Sequence, residues 1–235
     1  MSVKNTLILF AVLFISLGEA KAQDQDQGQG YYLEDLLFFS FRYNTLLGNP
    51  QSIHQKWTSL GYSTGYIRDI PFTFISEKRN IGIGIGISIT YNNYSSNFKL
   101  SMDDKENTQI RIIDSDEYNS FSLFYVDLPL ELRFRTSALG KADYFRFYPG
   151  IKASLLLHND SMTVNGKISH EYNNHYLIFT NVLFGPTLSM GYGIWNLNVY
   201  YSINSIFRKD ISSDIFNGEN LDLKTLNVGL TFYIL

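Results

Sequence analysis

Ile81-Gly82-Ile83-Gly84-Ile85-Gly86-Ile87-Ser88-Ile89-Thr90-Tyr91 alternates without a break. Each odd position is large and apolar, and each even position is small or polar. A period of two puts successive side chains on opposite faces of a β-strand. The alternation returns over Phe124 to Phe134 and over Leu226 to Ile234. The chain is therefore predicted to be built from long strands, each with one apolar and one polar face.

Upstream of these strands the sequence reads as an export signal. Lys4 is followed by an apolar run from Thr6 to Leu17, and Ala20-Lys21-Ala22 fits the small-x-small cleavage rule. The run is shorter than a membrane-spanning helix requires. Residues 1–22 are assigned to the signal peptide and 23–34 to a flexible polar segment that contains QDQDQGQG. Residues 35–235 are assigned to one domain. Cleavage would remove Lys4, Glu19 and Lys21 and change the formal charge from -3 to -4. With no basic stripe, nucleic acid is not an expected partner. Charged residues are 17% of the chain, and Tyr and Phe number 17 and 18. A low charge content rich in aromatics suits strands whose ends lie at a membrane interface. The absence of cysteine excludes disulfides, thiolate metal sites and a lipid-anchored cysteine.

Eight strands are predicted, at about 35–44, 60–75, 81–94, 119–136, 143–157, 176–191, 194–206 and 224–235. Gly61 and Gly65 could mark a bend or bulge in the second, and Pro129 and Pro149 predict bulges or widened pairing. Short connections fall near Glu77 to Asn80, Ser137 to Lys141 and Gly191 to Gly193. Long ones fall at 45–59, 95–118, 158–175 and 207–223. Short turns on one side and long loops on the other are the habit of an outer-membrane barrel.

The apolar face is read as lipid-facing. A row of alternate glycines would make a poor solvent-facing surface. Inside a narrow barrel the same row leaves room for long side chains opposite. Phe124, Val126, Leu128, Leu130, Leu132 and Phe134 then form an outer band, with Asp127, Glu131, Arg133 and Arg135 inside. Strand one adds Arg42, and strand five adds Arg146 and Lys152. These seven are the candidate interior polar network, with acids and bases satisfying one another across neighbouring strands.

Tyr125-Val126-Asp127-Leu128-Pro129-Leu130-Glu131-Leu132-Arg133-Phe134-Arg135 resembles a mid-barrel strand of the PorT-like outer-membrane β-barrel family of the Bacteroidota. Tyr144 to Lys152, Gly185-Pro186, Asn198 to Ser202 and Asn227 to Phe232 resemble neighbouring strands. The resemblance implies an all-β, eight-stranded antiparallel transmembrane β-barrel of OmpA/OmpX-like architecture in the cell outer membrane. One branch of the family serves a gliding-associated protein secretion system.

Catalysis is not expected. His54, His158, His170 and His175 fall in or beside the long loops. His158 with Ser161, and His170 with Glu171, can be written as Ser-His-acid sets, but their spacing carries no catalytic signature. His170, Glu171 and His175 lack the spacing of a helical zinc motif. Asp103, Asp104, Glu106, Asp114, Asp116 and Glu117 do not follow an EF-hand pattern; divalent bridging to lipopolysaccharide is the metal role they would suit. The reading is a structural or interaction role without a cofactor. Its partners are outer-membrane lipid, lipopolysaccharide, and proteins met through the outward loops or the periplasmic face. The alternatives are a secretion-system component, a small channel and a secreted soluble ligand-binding barrel.

Overall fold

The computed structural model describes residues 36–48, 54–72, 74–75, 80–102, 108–112, 118–136, 144–165, 168–172, 178–208 and 222–234. For 98–102, 108–112, 118, 162–165 and 168–172 only the backbone is described. The expected signal peptide and polar arm lie outside these residues, as do His175 and the acidic positions of the 95–118 connection.

The described residues form eleven strands: β1 (Leu36–Leu47), β2 (Leu60–Pro71), β3 (Ile81–Ser96), β4 (Phe98–Met102), β5 (Thr108–Ile112), β6 (Tyr118–Arg135), β7 (Phe145–Asn165), β8 (Ile168–Tyr172), β9 (Val182–Tyr192), β10 (Trp195–Tyr201) and β11 (Lys224–Ile234). Eight of them close a barrel in the order β1-β2-β3-β6-β7-β9-β10-β11, with β11 returning antiparallel to β1. Closure leaves the barrel wall without an edge, as a membrane-spanning sheet needs. The register fixes its dimensions. Pairing from Phe39 through Thr64, Ile89 and Val126 reaches Leu155 on β7. The other direction, through Phe232, Trp195 and Tyr192, reaches Phe145. The ten-residue offset is the barrel's shear. With eight strands it implies a strand tilt of about 40° and a backbone radius of about 8 Å.

The lipid-facing band follows from that tilt. Phe124, Leu128, Leu130, Leu132 and Phe134 are exposed on β6. Their ten-residue step spans roughly 25 Å along the barrel axis, the height of an outer-membrane apolar band. Aromatic rows border it. Phe41, Tyr62, Tyr91 and Phe124 are successive cross-strand neighbours, with ring centroids 5.1, 6.4 and 5.2 Å apart. Because the strands tilt, this row climbs toward the long-loop end. Phe232, Trp195, Tyr192 and Phe145 descend toward the short turns in the same way, with Trp195 and Phe232 4.9 Å apart.

The structure departs from the sequence reading in particular places. The connections 95–118 and 158–175 contain strands: β4 and β5 form a separate hairpin, and β8 pairs with the far end of β7. β7 runs to Asn165, seven residues beyond His158, which is the partner of Phe124. At about 3.3 Å per residue, β3, β6, β7 and β8 carry a sheet some 20 Å past the aromatic row. β2 stops at Pro71, β9 starts at Val182, and β10 stops at Tyr201. Beyond Tyr201, Asn204 is turned toward the start of β9. Its amide lies along the β9 edge, donating to the Val182 carbonyl (2.8 Å) and accepting from the Phe184 N–H (3.0 Å).

Register runs unbroken through Gly61 and Gly65. Pairing lapses opposite both prolines, at Gly86-Ile87 against Leu128-Pro129 and at Leu132-Arg133 against Tyr148-Pro149, and resumes in the same register. The missing proline N–H widens the ladder there without adding a residue. The register shift of the β6–β7 ladder lies elsewhere, where Phe124 pairs with His158 and Tyr125 with Leu156. Leu157 is the additional residue. It switches the inward set on β7 from even positions such as Lys152 and Ser154 to odd ones such as Asn159 and Ser161.

Candidate functional site

The lumen is layered. At the long-loop end Tyr94, Phe121, Phe179 and Phe207 stack in series, with centroids 5.0, 5.5 and 5.3 Å apart. Leu46, Leu123, Tyr125 and Leu183 pack with them. Phe179 and Phe207 come from outside the barrel strands and meet in an isolated antiparallel bridge. The stack is therefore completed by segments that continue the pairing of β9 and β10 beyond their strand ends.

Below this stack lies the first charged cluster. Asp127 on β6 accepts from Lys152 on β7 (3.0 Å) and from the Thr90 hydroxyl on β3 (2.6 Å), both through Oδ2. Arg42 on β1 donates to Thr90 Oγ1 at 3.3 Å. The Lys152 ammonium also sits 3.9 Å from the Tyr200 ring centre. The cation is thus held by a carboxylate and a π-face at once.

The second cluster lies toward the short turns. Arg133 contacts Asp69 (3.5 Å) and Glu131 (3.4 Å), and Arg135 pairs with the other Asp69 oxygen. Arg133 also lies 4.9 Å from the Tyr148 ring centre. Arg146 donates to the Gly193 carbonyl and to the Tyr144 hydroxyl, its guanidinium over the Tyr144 ring. Leu36, Phe38, Ile67, Tyr148 and Tyr233 form the apolar floor of this cluster.

Asp69 and Arg133 sit on β2 and β6, which are not neighbours. Gly84 of β3 lies between them, paired with Asp69 on one side and with Glu131 on the other. A Cβ at Gly84 would stand 2.5 Å from Arg133 Nε. The absent side chain is what lets the guanidinium cross β3 to reach Asp69. Arg42, Asp127, Glu131, Arg133, Arg135, Arg146 and Lys152 are all buried on the luminal face. Asp69 belongs to the same network and was missed from sequence, because apolar and polar positions trade faces at Ile67-Arg68. Ile67 turns inward to the apolar floor and leaves Arg68 outward. The available signal was parity: counting by two from Gly61 and Ser63 places Asp69 inside.

Between the clusters is a cavity of about 30 Å³, bounded by Arg42, Asp127 and Lys152 on one side and by Phe38, Ile67 and Tyr233 on the other. That is room for one or two water-sized particles, so at this level the described side chains leave little open space.

The loop candidates are dispersed. His158 lies within β7, its Nε2 2.8 Å from Asp160. Ser161 is on the opposite, inner face, bonded to Asn119 at 3.1 Å. A strand that separates the two across the wall does not assemble a Ser-His pair. His54 is exposed, and its backbone N–H donates to the Asn97 side-chain oxygen. His170 and Glu171 occupy adjacent positions on β8.

A closed eight-stranded antiparallel barrel with an apolar outer band and a charged lumen is the architecture of an integral outer-membrane protein. Comparison with family models agrees. Residues 21–208 match the outer membrane protein beta-barrel domain, and the chain belongs to that family. The match covers every barrel strand except β11, which the structure supplies as the partner of β1. No curated protein matches the chain significantly.

Proposed function

We propose that the protein is a sealed outer-membrane barrel that serves as a platform, presenting its extended sheet to partners at the cell surface. The observation that carries this reading is the filled lumen. A four-ring aromatic stack covers two layers of buried ion pairs, and the one luminal cavity described is about 30 Å³. A hydrated ion path would need a continuous gap through all three layers. The β3-β6-β7-β8 sheet supports the interaction half of the reading, because it prolongs the wall well past the lipid-facing band. Lipid and lipopolysaccharide contact the outer band and aromatic rows. Proteins dock on the extended sheet, and no residue is assigned a catalytic role.

The Tyr125 to Arg135 strand supports a place among the PorT-like barrels of the Bacteroidota. The small-channel alternative is tested directly by planar-bilayer recording of the purified barrel. The expected result is an unaltered membrane current. Reproducible single-channel steps would overturn the sealed-barrel reading. Crosslinking in intact cells through the outward-facing positions His158 and Asp160 of β7 should capture surface partners. Recovery of secretion machinery alone would instead favour the secretion-component reading.

A further inference from the structure

The luminal cavity is built on an imbalance of charge. Arg42 and Lys152 are both buried, and both depend on the single carboxylate of Asp127. Glu131 also borders the cavity, but its carboxylate is engaged by Arg133 in the second cluster. Lys152 reaches Asp127 directly. Arg42 reaches it only through the Thr90 hydroxyl, at 3.3 Å. Arg42 Nε and Asp127 Oδ1 are buried and make no hydrogen bond within the protein. The Arg42 side chain thus carries a formal charge, is more than nine-tenths buried, and has one weak neutral acceptor. Leaving such a group uncompensated in a low-dielectric interior is costly.

We propose that the cavity is a binding site for one small monovalent anion of chloride size. The anion accepts from the Arg42 guanidinium and from the cavity hydroxyls, of which Ser40, Ser63, Ser88 and Thr231 are lining residues. It restores neutrality to the Arg42–Lys152–Asp127 set. The remaining space holds a water that donates to Asp127 Oδ1 and separates the two negative charges. The site lies between the aromatic stack and the apolar floor, so exchange requires the barrel to breathe. The ion is an internal structural ligand and does not permeate.

The test measures the folded fraction of the full barrel in detergent micelles against urea, by its boiling-dependent gel shift. Sodium chloride is compared with sodium gluconate at matched ionic strength. A tenfold rise in chloride above its dissociation constant should raise the folded-to-unfolded ratio about tenfold. Arg42→Met and Lys152→Met each bring the set to neutrality, and each should abolish the chloride-specific part. If Arg42→Met fails to fold, Lys152→Met carries the comparison. Bromide-soaked crystals should show one anomalous peak beside Arg42. Equal chloride dependence in the wild type and a folded variant would overturn the proposal, as would a water without bromide signal at that position.

Discussion

Asp69→Ala is the substitution that probes the lumen most sharply. Its side chain is fully buried and faces two guanidinium groups, Arg133 at 3.5 Å and Arg135 on the second oxygen. At an effective dielectric of about 20, a charge pair at that separation is worth about 5 kcal/mol before desolvation is counted. Removing one member of a buried pair typically costs 3–5 kcal/mol, because the stranded charge stays in the interior. Two arginines depend on Asp69, so a loss of about 4 kcal/mol is expected. With a urea dependence of about 2 kcal/mol per molar, the midpoint should fall by about 2 M. The assay is the fraction of barrel that resists unfolding across a urea series, read by gel mobility before boiling. Asp69→Ala combined with Arg135→Met should recover part of the loss, because one stranded cation is then gone. A midpoint within about 0.3 M of wild type, a small fraction of the 2 M worked out above, would refute the reasoning. It would mean that water or other groups hold the two arginines without Asp69.

Glu131→Ala should also lower folding yield, by less than Asp69→Ala, since among the described residues Glu131 pairs with one cation, Arg133 at 3.4 Å, while Asp69 serves two; parallel refolding yields decide the order. Gly84→Val should destabilise by several kcal/mol, on the order of a broken buried ion pair. Its Cβ would occupy space 2.5 Å from Arg133 Nε and push the guanidinium off Asp69. Gly84→Ala should fall between Val and wild type in the same urea series. Phe121→Ala removes the second ring of the aromatic stack and should cost about 3–5 kcal/mol. It should still leave bilayer current unchanged, because both ion-pair layers remain below it. Conductance in that variant would show that the aromatic stack alone seals the barrel.

The alternation sorts residues into two faces, and it does so without tertiary information. Phe124 to Phe134 and Ile81 to Tyr91 each declare two faces, because a strand's side chains can point only two ways. The glycine row at 82, 84 and 86 marked an interior that needs room, and Gly84 is where Arg133 uses it. Loop lengths gave the alternation of short turns and long connections. Strand ends, and the strands inside long connections, were not readable. β4, β5 and β8 are short, and their existence depends on which neighbour lies alongside. The extra residue at Leu157 was equally invisible, since a bulge is a property of two paired strands and Leu155-Leu156-Leu157 looks uniform in one.

The partnership of charges was decided by tertiary structure. Sequence places Arg133 and Glu131 on the inner face, but the acid that serves Arg133 and Arg135 together is Asp69, two strands away and across a glycine. That contact exists because the β2–β3 and β3–β6 registers bring residues 64 positions apart in the chain to one level of the lumen. The aromatic stack has the same origin: Tyr94, Phe121, Phe179 and Phe207 come from four separate segments and meet when the barrel closes. A local period determines the face of a side chain, whereas its partner depends on register and closure, which are properties of the whole sheet.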